Sequence, residues 1–148
     1  METPARVVRS VHLDLDRDAA WRLVGTADGL ARWLGADVHL DPAAGAALRV
    51  RDDDGVERHG RVVEVDEGRS LAFEWATDEG TPSSVTFTVD DDGDGSRVTV
   101  VEEHAGGSMA ACLDAGAAWD HRMLHLEVGA LGAVPAFAGR GAALDLMA

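Results

Sequence analysis

The chain has 148 residues, 46% hydrophobic and 27% charged, with thirteen arginines, no lysine and 27 acidic side chains, giving a formal net charge of −14. A surface this acidic repels phosphate backbones and anionic membranes, so no nucleic-acid partner is expected. A single cysteine, Cys112, leaves no internal disulfide and too few thiols for a thiolate zinc site.

A chain of this size buries roughly 68–70% of its unfolded surface, so residues 1–148 are expected to form one domain with a core of its own. No run of about 18 apolar residues is present, and no membrane span is predicted. The first residues lack an apolar signal segment, so a cytoplasmic protein is expected.

Residues 7–15 alternate, with Val7, Val11, Leu13 and Leu15 on one face and His12 and Asp14 on the other, the pattern of a strand. Asp16 is placed to cap a short helix over 17–24, with Asp18 in its first turn and Gly25 ending it. A second short helix, about 28–34, carries Leu30, Trp33 and Leu34 before Gly35. Strands are then predicted at 36–40, 46–51, 56–65, 70–77, 84–90 and 97–103, joined by turns rich in Asp, Gly and Pro. Gly60 inside one of them signals a bulge or a close approach of another group. The run Asp90-Asp91-Asp92-Gly93-Asp94 has a loose likeness to a calcium loop but lacks its alternating ligands and distal Glu. It reads as a solvated hairpin tip.

From Ser108 to Leu131 the chain has no proline and is rich in helix formers. Gly106-Gly107 break the strand before it, and Ser108 is placed as N-cap. Cys112, Ala115, Trp119, Met123, Leu126 and Ala130 fall on one stripe at 100° per residue. A long helix after a run of strands must bury that stripe against their sheet. The fold class is therefore α+β, a curved antiparallel sheet of about six to seven strands around a long C-terminal helix. Leu113, Leu124, Val128 and Leu131 make a second apolar strip that a sheet alone would not cover. The apolar extension 133–148, with Val134, Phe137, Leu144, Leu146 and Met147, or a second subunit, is expected to cover it.

These pieces resemble the START-like, or SRPBCC, superfamily with its helix-grip fold. Within it they are most similar to the bacterial group related to the activator of heat-shock-chaperone ATPase. The resemblance covers 7–131. It rests on Ala20-Trp21 with Val24, on Leu30-Ala31-Arg32-Trp33-Leu34, on Gly60-Arg61-Val62-Val63-Glu64-Val65, and on Arg69-Ser70-Leu71-Ala72-Phe73-Glu74-Trp75. Val85-Thr86-Phe87, Arg97-Val98-Thr99-Val100 and Trp119-x-x-x-Met123-x-x-Leu126 complete it. Ala43-Ala44-Gly45-Ala46 departs from the Gly-Gly pair of many members.

The resemblance implies a cavity between sheet and long helix that holds a small apolar or polycyclic molecule. Its candidate lining is Trp33, Trp75, Phe87, Cys112, Trp119 and Met123, residues that would equally serve to fill a core. The small residues Ala111, Ala115, Gly116 and Ala118 leave room beside Trp119. Glu102 and His104 continue the inward phase of Val98 and Val100 and could form an acid–base pair, although a solvated pair at the strand's end is the favoured reading. His121 and His125, four apart on the helix, read as a wet face rather than a metal pair, since no Glu is placed as in the His-Glu-x-x-His motif. No metal and no cofactor is predicted.

Three functional readings follow. The first is binding of a small apolar, aromatic or polyketide-like molecule for sequestration, transport or self-resistance. The second is a cyclase- or dehydratase-like enzyme using Glu102 and His104, and the third is regulation of a chaperone ATPase by protein contact. The expected partners are thus a small hydrophobic ligand and, through Leu124, Val128, Leu131 and the C-terminal tail, a second copy of the chain.

Overall fold

The computed structural model describes residues 5–35, 37–52, 55–104 and 109–138, with side chains for all of these except Ala5, Met109 and 132–138. The expectations for Gly106, Gly107, Ser108 and the side chains of the extension lie outside the described residues.

Strand β1 (Ala5–Leu13) is followed by helices α1 (Arg17–Val24) and α2 (Ala27–Leu30). Strands β2 (Asp37–Leu40), β3 (Ala47–Arg51), β4 (Glu57–Asp66), β5 (Ser70–Ala76), β6 (Ser83–Asp92) and β7 (Gly95–His104) then lead into helix α3 (Met109–Ala138). The seven strands form one antiparallel sheet in the order β1-β7-β6-β5-β4-β3-β2. Six of them follow one another as a meander, and β1 returns beside β7 to close the set. Helix α3 packs on β1 and β7 and touches α1, so the fold is the expected helix grip.

Local chemistry accounts for most boundaries. The Asp16 carboxylate accepts from the Ala19 amide at 2.8 Å, capping α1. Thr26 caps α2 through its hydroxyl, which accepts from the Gly29 amide at 3.0 Å. Helix α2 is shorter than its apolar pattern suggested. After Leu30 the chain continues as hydrogen-bonded turns, with the Trp33 and Leu34 amides both donating to Leu30 carbonyl oxygen. Helix α3 runs past the expected end at Leu131, through Gly132 and Pro135, to Ala138.

Gly60 meets the expectation of a close approach: a β-carbon there would lie 1.7 Å from the Glu74 carbonyl oxygen. The bulge itself falls two residues on, between Val62 and Glu64. The Asp-rich tip is not purely solvated, because Asp92 lies 2.8 Å from the His12 ring and 3.0 Å from Arg97.

The core lies between the concave sheet face and α3. Trp119, Met123, Leu126 and Ala130 are buried on α3, and Cys112 and Ala115 pack half-buried beside them. The second strip stands clear of this core, with Leu113, Leu124, Val128 and Leu131 between 56% and 67% exposed. The space expected beside Gly116 is occupied, since Arg9 reaches over it and pairs with Asp120 at 2.7 Å. Among the described residues no helix is long and apolar enough to cross a membrane.

Candidate functional site

The alternation of β7 that turns Val98 and Val100 inward carries Glu102 inward as well, opposite Val7 on β1 and Val85 on β6. Glu102 is 5% exposed, so the favoured reading of a solvated pair is corrected. A buried carboxylate needs donors, and this one has three. Trp75 Nε1 and Ser83 Oγ donate to Oε2 at 2.9 and 2.5 Å, and Trp119 Nε1 donates to Oε1 at 2.8 Å. Burial pushes the Glu102 carboxyl up, but these donors, with the nearby His104, outweigh it and hold the group below its ordinary value.

His104 does face Glu102, with Nε2 at 3.8 Å from Oε1, too far for a hydrogen bond. That nitrogen is buried without a hydrogen-bond partner among the described residues. The two are neighbours, not a connected acid–base pair.

The indoles that serve Glu102 at their N–H edges offer their faces to cations. The Arg122 guanidinium carbon lies 4.6 Å from the Trp119 ring centre and 5.4 Å from that of Trp75. The Arg58 carbon lies 5.0 Å from the Trp75 ring. A desolvated cation over an indole gains about 2 kcal/mol, and donation of the N–H to a carboxylate makes the ring face more electron-rich. Arg122, 7% exposed, is thereby held inside the fold. Asp52 adds a second layer, 2.7 Å from Arg58 and 3.7 Å from Arg122. Carboxylate, paired indoles, guanidinium and second carboxylate form one connected polar seam through the aromatic core.

Around that seam the rings are in contact. Trp75 and Trp119 stack at 6.2 Å, and Phe73, Phe87 and Trp33 continue the chain edge to face at 5.2 to 5.8 Å. Of the six residues expected to line a cavity, Trp75, Phe87, Trp119 and Met123 are buried in this core and Cys112 packs half-buried against it. Trp33 alone of the six borders a described cleft.

That cleft has a volume of about 360 Å³ and opens to solvent between the turn after α2, the end of β3 and the outer side of α3. Trp33, Leu34 and Ala118 give it an apolar wall, and Arg32, Asp52, His121, Arg122 and His125 supply the polar groups. The Trp33 indole is fixed by donating to the Leu23 carbonyl oxygen at 2.7 Å. His121 and His125 stand on the wet side of α3 as expected, their ring centres 4.3 Å apart. Among the described residues no group of three or more His, Cys, Asp or Glu is placed to hold a metal ion. A second cleft of about 350 Å³ lies between α1 and α2, bordered by Arg22, Leu23, Asp28 and again Arg32.

Sequence reasoning missed Arg122 and Asp52. A signal for Arg122 was present, because it lies three residues after Trp119 and so beside the buried stripe.

Comparison with known structures agrees with the fold. The chain is similar to DynU16, a protein of the dynemicin biosynthetic locus, with TM-score 0.77 and 22% identity over 83% of this chain and 46% of that one. It thus spans about half of DynU16. It is also similar to CalU16 from Micromonospora echinospora, with TM-score 0.74 and 15% identity over 93% of this chain and 83% of that one. The Aha1 dimer from Colwellia psychrerythraea gives TM-score 0.69 and 13% identity over 82% of this chain and 92% of that one. No curated protein matches the chain by sequence. The model of one family, described as Activator of Hsp90 ATPase homolog 1-like protein, matches residues 14–125, most of the chain, and the protein belongs to that family.

Proposed function

We propose that this domain binds a small aromatic molecule in the cleft between the turn after α2 and helix α3. The observation that carries the reading is an open cleft of about 360 Å³ in which Trp33, nearly all buried and fixed through its indole N–H, meets a slim helix position, Ala118, beside the buried Arg122. Small-molecule sites run from about 300 to 1,000 Å³, with apolar walls and a few placed polar groups. A polyketide-like ligand, held for sequestration, transport or self-resistance, belongs to this proposal; DynU16, similar in fold, comes from the dynemicin biosynthetic locus.

Binding rather than catalysis suits the geometry. A general base works best with its pKa near the operating pH and a free lone pair. Glu102 has a depressed pKa and three donors already in place. It acts here as a structural anion, which leaves a cyclase-like reaction without a carboxylate base.

Ala118→Phe tests the reading, for it fills the cleft from a half-buried helix position. Intrinsic tryptophan fluorescence of the native chain should titrate with bicyclic aromatic probes, and the variant should lose at least tenfold in affinity while melting normally. Undiminished binding by the variant would place the site elsewhere. Regulation of a chaperone ATPase, which would use a protein surface, is separated by the same variant, since contact made elsewhere would survive it.

Self-association belongs with this proposal. The exposed strip of Leu113, Leu124, Val128 and Leu131 supplies an apolar face, and the similar Colwellia protein is a dimer. Sedimentation velocity should show a dimer for the native chain and a monomer for the double variant Leu124→Glu, Val128→Glu. A native monomer would end the idea.

A further inference from the structure

We propose that the molecule held in the Trp33–Arg122 cleft carries an acid group, a carboxylate or an acidic phenol, received by Arg32 at the rim with Arg122 beneath. The inference rests on the cleft being the binding site and concerns what that site selects.

Carboxylates outnumber arginines about two to one in this chain, so an arginine side chain readily finds one. Every arginine with a described side chain, except Arg22 and Arg32, has a carboxylate within 4.0 Å. Arg22 has a local reason to stand alone, because it occupies the last turn of α1, where a cation complements the helix dipole. Arg32 lies two residues beyond the end of α2, exposed, on the rim of the cleft.

The cleft's other charges point the same way. Its one carboxylate among the described residues, Asp52, is nearer to Arg58 than to Arg122. His121 and His125 add donors on the far wall, so the concavity presents cations and N–H groups inside an acidic protein. A cleft in which one sign of charge prevails, here two arginines against Asp52, concentrates ions of the other sign even where the whole molecule repels them. A planar ring against the apolar wall of Ala31, Trp33, Leu34 and Ala118, with its acid group toward Arg32, satisfies both walls, and guanidinium suits a carboxylate by its paired donors.

Calorimetric titration of the full chain with 2-naphthoate and with neutral 2-naphthalenemethanol tests the inference. The acid should bind more tightly than the alcohol. Arg32→Gln should weaken the acid by up to about fivefold, the scale of an exposed ion pair, and leave the alcohol unchanged. Arg22→Gln, in the neighbouring cleft, should alter neither. Equal binding of both probes, with Arg32→Gln silent, would overturn the inference and leave the cleft reading standing. Loss of acid binding in Arg22→Gln alone would move the site to the α1–α2 cleft, and no binding of either probe would overturn both readings.

Discussion

Replacing Glu102 by alanine is expected to lower the free energy of unfolding by about 3–5 kcal/mol, the range for removing one partner of a buried charged network. The change strands three donors at once, the Trp75 and Trp119 indoles and the Ser83 hydroxyl. It also removes the acceptor that fixes the two indoles on whose faces Arg122 rests. Against a total stability of about 5–15 kcal/mol such a loss is severe. Glu102→Gln keeps the shape but turns an NH2 toward the donors, so at least one is left unserved, at about 1–3 kcal/mol. Urea unfolding of both variants gives the values.

The same carboxylate sets a pH signature. Its folded pKa lies below the ordinary value of 4.5, so the unfolded chain takes up the proton first. The contribution is fully present above about pH 4.5 and is lost as pH falls through the depressed folded value. Native protein should therefore lose stability in that acid window faster than Glu102→Gln. Parallel curves would show that Glu102 is not the buried anion described.

The second large effect is at Trp119, the largest fully buried side chain among the described residues. Trp119→Ala is expected to cost about 3–5 kcal/mol from the lost burial and the cavity left behind. Trp119→Phe separates the packing role from the polar one. It retains a ring against Phe87 but deletes the donor to Oε1 of Glu102, leaving that oxygen facing only His104 at 3.8 Å. About 1–3 kcal/mol is expected for that lost charged hydrogen bond. The acid limb of its stability curve should also move to higher pH, because Glu102 loses a donor that holds its pKa down. A phenylalanine variant as stable as the native chain, with an unshifted acid limb, would contradict the role given to the indole N–H.

The periodic parts of this fold were legible before the structure. Strands of period two and the α3 stripe follow from side-chain direction alone, and Asp16 marked the start of α1. Helix α2 was harder, since Leu30, Trp33 and Leu34 satisfy a helical period while their backbone is turns. The polar seam was not legible as a unit. Its members lie just after β3 and on β4, β5, β6, β7 and α3, and no local pattern reports that two indole N–H groups meet one carboxylate. The clue available was chemical: two tryptophans at inward positions need acceptors, and Glu102 was the carboxylate in phase with the buried face of β7. The cleft was harder still, because it arises where the turn after α2 overhangs α3, a relation set by packing rather than spacing.

The most direct test of the cleft as the functional site is a two-dimensional amide spectrum of the labelled chain titrated with 2-naphthoate. Saturable shifts are predicted at residues 31–35 and 118–125 and at the Trp33 indole N–H. Shifts that saturate only in α1 or along the sheet, or no shifts at all, would contradict it.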